Sequence, residues 1–223
     1  MKAISDVNAG GFFKRINPER LLVVCLLVSG IILRIWQYMA NRSLWLDECF
    51  LALNLIHRSF AGLTQPLDHN QAAPLLFLFI QKAVIIVLGN GEFALRLFPL
   101  MAGILSLFLM YKTTKKYLQG IAAYMALALF CFSAALIYYS SENKQYASDA
   151  MFTLVLLLAA YPCLQDAAKP KNYMFLTGAG FVAMWMSHPA VFVLAGIGIV
   201  VMILPAFKKD CRIQGSRRGR LFV

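Results

Sequence analysis

The chain has 223 residues, 61% of them apolar and only 14% charged, with a mean hydropathy of +0.69 and a net charge of +11. Soluble domains are about 45–50% apolar and about 25% charged, so an ordinary globular core is excluded. Seventeen Phe against 14 Gly also exclude a disordered tail or a collagen-like chain. An all-α polytopic membrane protein remains. The Lys and Arg surplus does not point to nucleic acid, because it lies between apolar runs, as membrane topology requires.

A helix needs about 20 apolar residues to cross a bilayer. Residues 1–20 form a basic, cytoplasmic N-terminal segment, and the first span is expected over 21–40. That run is too long, and its polar lead too extended, for a cleavable signal peptide. Further spans are expected at 93–111, 121–139, 146–164, 173–187 and 189–207, and a basic cytoplasmic tail at 208–223. Two segments of the first outer loop do not fit a span. Residues 47–62 carry Asn54, His57 and Arg58 among partly periodic apolar positions, which predicts a lateral helix. Residues 74–88 are short, contain Gln81 and Lys82, and end at Gly89-Asn90-Gly91-Glu92.

Charge decides the status of 74–88. The basic clusters lie at 1–20, at Lys112, Lys115 and Lys116, at Lys169 and Lys171, and between Lys208 and Arg220. All four face the cytoplasm only if 74–88 is lateral or re-entrant, and 15 of the 21 positive residues then lie inside. Six spans and two lateral helices follow. The membrane domain runs over 21–207, with the N-terminus cytoplasmic. Cys25, Cys49, Cys131, Cys163 and Cys211 form no CxxC and mostly lie in apolar segments, so they read as small packing residues.

Under this topology acids, bases and amides gather at the outer face: Asp47, Glu48, His69, Gln71, Arg96, Glu142, Lys144 and His188. Each has a bland reading. Asp47 and Glu48 can be first-turn acids that favour a helix dipole. Arg96 can pair with Glu92 one turn earlier. Glu142 and Lys144 can be a solvated loop, and His188 in Ser187-His188-Pro189 a structural turn residue. Asp149, inside a span, calls for a partner or a wet cavity. Together they suggest a site for an anionic, membrane-borne substrate. No GxxxxGK[ST], HExxH or GxSxG occurs.

The motifs occur in the order SLWLDE, HNQAAPLLFLFIQK, GNGEFALRLFPLMAGILSLFLMY, YYSSENKQYASD and SHPAVF. This order resembles the N-terminal half of bacterial membrane glycosyltransferases of the protein-mannosyltransferase-like group, in the C-type superfamily. The likeness covers about residues 20 to 206. It implies a multi-pass enzyme of the bacterial inner membrane that takes a sugar from a polyprenyl phosphate, with inversion, at the periplasmic or extracellular face. The acceptor is a lipid, glycan or protein, the other partners are membrane lipids, and nucleic acid plays no part.

The resemblance makes Asp47, with Glu48 beside it, catalytic. Arg96, Glu142, Lys144, Tyr146 and Gln71 become substrate-binding, and His69 and His188 join them from the outer-face grouping. Asp47 would act as general base, and Arg96 with Lys144 would hold the carrier phosphate. Lys144 stands where Arg is common, and Gln71-Ala72-Ala73-Pro74 departs from the frequent QPP. No cofactor is required by any motif, while the acidic pair leaves a divalent cation open. Family members are usually longer, so a truncated fragment that packs with a partner is one alternative. A transporter or lipid-handling protein is the other, disfavoured because Arg34 and Asp149 are among the few ionisable residues deep in the expected spans.

Overall fold

The computed structural model describes residues 17–165 and 169–203. Among them every regular element is helical. They are α1 (Pro18–Met39), α2 (Leu46–His57), α3 (Leu75–Leu88), α4 (Glu92–Tyr117), α5 (Ile121–Phe132), α6 (Ala134–Tyr139), α7 (Tyr146–Gln165), α8 (Pro170–Met186) and α9 (Ala190–Ile203). Two 3-10 turns, Gly62–Thr64 and Asp68–Asn70, lie between α2 and α3. The expected residues 1–16 of the N-terminal segment and the basic tail at 208–223 lie outside the described residues.

The chain is a polytopic all-α membrane protein. α1, α4 and α7 are long and apolar enough to cross a bilayer, and α3, α5 and α9 are shorter apolar helices. Large apolar side chains cover the outside of the bundle. Trp36 of α1 is 76% exposed and Phe192 of α9 is 80% exposed, as lipid-facing positions require.

Local chemistry sets the helix ends. Asn17 caps α1 by accepting from the Glu19 N–H at 3.0 Å, and Pro18 opens the helix where its missing N–H is harmless. Pro170 opens α8 in the same way. The expected span at 121–139 is interrupted. Ser133 is extended (φ −62°, ψ 114°) and separates α5 from α6. The break leaves the last carbonyls of α5 without helical donors. Arg34 of α1, 1% exposed, supplies them: it donates to Cys131 O at 3.3 Å and Phe130 O at 3.4 Å, and to Gly30 O of its own helix at 3.0 Å. An arginine in a span is thus explained by a broken neighbour rather than by a carboxylate.

α4 is the central helix and packs against α1, α3, α5 and α7. At Gly103 a Cβ would stand 2.6 Å from the Ser140 side chain. Only glycine lets the loop after α6 lie so close to α4. The two polar residues of α3 tie it to α2, to α4 and to the loop before α7. Pro99 has no N–H, so Leu95 O, four residues earlier, has no helical donor. Gln81, at the middle of α3, fills that position at 2.7 Å and donates to Asn143 at 2.8 Å. Lys82 caps the end of α2 through Leu55 O at 2.8 Å and Ile56 O at 3.3 Å. The other faces of α2 and α3 bury Leu51, Leu55, Phe77, Leu78 and Ile85 against Leu95.

Two outcomes test this architecture. Arg34→Met should destabilise the protein by about 1–3 kcal/mol, the cost of unsatisfied buried carbonyls, measured by unfolding in detergent. In a background without native cysteines, an impermeant thiol reagent added from outside should label a cysteine at exposed Gln65 and spare one at exposed Gln119. The opposite pattern would overturn the charge-based sidedness.

Candidate active site

The region where α2, α3, α4 and the loop before α7 meet collects most of the buried polar side chains. Two adjacent carboxylates on the first turn of α2 have different fates. Glu48 is completely buried and fully satisfied. Its Oε1 accepts from Arg96 Nε at 3.1 Å and the Asn143 N–H at 2.6 Å, and its Oε2 from Arg96 Nη2 at 2.8 Å and the Trp45 N–H at 3.4 Å. Arg96 also donates from Nη1 to Arg42 O. The bidentate pair joins α2 to α4, and Asn143 joins both to the loop before α7.

Asp47, one residue earlier, points the other way, and its side chain is 32% exposed. Lys144 Nζ lies 2.7 Å from Asp47 Oδ2, and Gln71 Nε2 donates to Asp47 Oδ1 at 2.8 Å. Lys144 also donates to Gln71 Oε1 at 2.6 Å, closing a ring of three side chains. Partial burial pushes the Asp47 carboxyl up, but the Lys144 ammonium and the Gln71 amide outweigh it and hold Asp47 below the usual carboxylate range. Burial alone would have made Asp47 a stronger base. With Lys144 in contact, it is ionised and weakly basic.

Gln71 reaches this ring because the preceding loop is pinned. Asn54, buried in α2, accepts from the Asp68 N–H at 2.9 Å, and Arg58 pairs with Asp68 at 2.7 Å. His69 sits in the left-handed region (φ 60°) and stacks on Phe50 with ring centroids 4.2 Å apart. It is exposed, and its carbonyl accepts from Gln71 Nε2 at 3.5 Å. His188 lies across a cleft of about 500 Å³ that it lines with Trp185, Gln71 and Pro74. Glu142 is buried and bonds Arg42 at 3.2 Å, while its Oε2 has no protein partner. Arg42 lies over the Tyr138 ring at 4.0 Å and donates to the Tyr138 hydroxyl. Tyr146, at the start of α7, is close enough to Asp47 and Glu142 to feel both charges.

One expectation changes. Arg96 pairs with Glu48, 48 positions away, and not with Glu92, which is exposed. Its guanidinium is 2% exposed at the side chain and already engaged. Glu48 is enclosed by four donors and holds the first turn of α2, which carries Asp47. Gln81, Asn143 and Arg42 belong to the network without having been singled out. The signal for Gln81 was Pro99, whose missing N–H requires a donor for Leu95. Among the described residues no three His, Cys, Asp or Glu are grouped to hold a metal ion.

The sign of one pH effect follows. A carboxylate held below its unfolded value stabilises the fold fully above that value, about 4. The contribution disappears as pH falls through the depressed folded value. The parent chain should therefore lose melting temperature below about pH 4 more steeply than Asp47→Asn does, measured in detergent from pH 7 to pH 3.

No curated protein and no solved structure matches the chain. The family described as dolichyl-phosphate-mannose-protein mannosyltransferase matches residues 72–213. The match contains Arg96, Glu142, Lys144, Tyr146 and His188, and begins just after Gln71, so Asp47 and Glu48 precede it. It covers more than half of the 223 residues, and the chain belongs to the dolichyl-phosphate-mannose-protein mannosyltransferase family, a family of membrane glycosyltransferases.

Proposed function

We propose that the chain moves a sugar from a polyprenyl phosphate to an acceptor hydroxyl at the outer face of the membrane, with Asp47 as general base. The observation that carries this reading is the ring of Asp47, Lys144 and Gln71. It places one reachable carboxylate beside one cation, next to a cleft open to solvent.

The chemistry divides between the two charges. The leaving group is a phosphate, so it needs a cation beside it rather than a strong general acid, and Lys144 supplies a point charge for that oxygen. The acceptor hydroxyl gives its proton to Asp47 as it attacks the anomeric carbon and the bond to phosphate breaks. Attack opposite the departing phosphate inverts the anomeric centre. Glu48 and Arg96 hold the first turn of α2, and with it Asp47. His188 and Trp185 line the cleft through which an acceptor approaches.

The alternatives receive less support. A transport path needs ionisable residues lined up through the spans. Arg34 is committed to the α5 break, which leaves no such line among the described residues.

Asp47→Asn should reduce transfer from polyprenyl phosphate mannose by at least about 100-fold, the scale of a lost general base, at matched expression and melting temperature. Unchanged turnover would return Asp47 to the role of a first-turn acid.

A further inference from the structure

We propose that the donor's phosphate and the Asp47 carboxylate compete for the same Lys144 ammonium, so that seating the donor releases the base. Built on the transfer reaction proposed above, this adds a coupling between its two halves. The geometry is specific. Lys144 is 5% exposed, and its ammonium is held within 2.7 Å of Asp47 Oδ2 and 2.6 Å of Gln71 Oε1. Of the two carboxylates on the turn, only Asp47 touches it. Glu48 is fully committed to Arg96 and Asn143, and Glu142 bonds Arg42. The neighbouring cations, Arg96 and Arg42, therefore have their own acids, and Lys144 is the cation left to exchange partners at this turn.

An ammonium is a compact charge with rotatable donors on a flexible stem. It can leave Asp47 for a phosphate oxygen and keep its bond to Gln71. A guanidinium locked in a bidentate pair, such as Arg96 with Glu48, cannot change partner so readily. Gln71 then acts as a positioning residue that holds the ammonium in place and orients Asp47 through its amide N–H. Once Lys144 has turned to the phosphate, the partly buried Asp47 loses the contact that keeps its proton affinity low. It becomes a better base when the leaving group is in place. Without the donor, an acceptor or water hydroxyl meets a poor base.

The pH sign follows. The charged or titratable groups that face Asp47 are Lys144 and Tyr146 on the α7 side, with Glu48, paired to Arg96, on its own turn. The donor phosphodiester stays ionised throughout. Protonating Asp47 frees Lys144, so donor affinity should rise as pH falls from neutral into the carboxylate range.

The test is equilibrium binding of polyprenyl phosphate mannose to the full chain in detergent at neutral pH, with melting temperature as the folding control. Lys144→Gln should weaken binding by roughly 10- to 150-fold, the range for one charge-assisted phosphate contact. Asp47→Asn should tighten it by about 5-fold, because the competing hydrogen bond is lost, and should flatten its pH dependence. In the Lys144→Gln background the Asp47→Asn gain should vanish. Lys144→Arg should retain binding and so guards against a folding defect.

An Asp47→Asn affinity equal to or weaker than the parent would overturn the competition. So would an equal gain in the Lys144→Gln background, since that would reflect plain repulsion between Asp47 and the donor. Unchanged turnover in Asp47→Asn with the coupling intact would contradict the base assignment alone. No binding of the donor by the parent chain would overturn both.

Discussion

The buried ion pair between Glu48 and Arg96 fixes the arrangement of this end of the molecule. It links the first turn of α2 to the first turns of α4, and Asn143 adds the loop before α7 to the same carboxylate. Removing one member of a buried pair leaves an uncompensated charge, a loss of about 3–5 kcal/mol. The pair therefore couples three segments far apart in sequence. It also divides the labour of two adjacent acids: Glu48 turns inward and is immobilised, and Asp47 is presented at the surface with a known orientation.

A second layer of polar contacts supports that division. Pro99 frees the Leu95 carbonyl, Gln81 occupies it and passes a hydrogen bond to Asn143, and Asn143 holds Glu48. The polar residues of α3 find their partners in α2, α4 and the loop before α7. Gly103 lets Ser140 approach α4 closely enough for the loop to deliver Asn143 and Lys144.

Much of this was legible in the sequence. Hydropathy located the helices. The expected order of spans and loops already grouped Asp47, Arg96, Glu142 and Lys144, and the structure joins them through Glu48, Arg42 and Gln71. Partner choice was not legible. Arg96 has an acid one turn away at Glu92, and local spacing favours that pair, but the desolvated bidentate geometry is available only from Glu48. Nor was the break at Ser133 visible, because 121–139 is continuously apolar and Ser133 has ordinary composition for a span. Arg34 carried the clue, since an arginine at that depth needs acceptors. The low basicity of Asp47 was not legible either, because the Lys144 contact that outweighs its partial burial depends on a loop nearly a hundred residues later.

The most direct test of the central claim is a double-mutant cycle between Glu48→Gln and Arg96→Gln, read by reversible unfolding in detergent. The buried pair predicts a coupling of about 3 kcal/mol or more, with the double variant more stable than the sum of the single losses allows. Single effects that add within about 0.5 kcal/mol would contradict it, because residues that do not interact behave in that way.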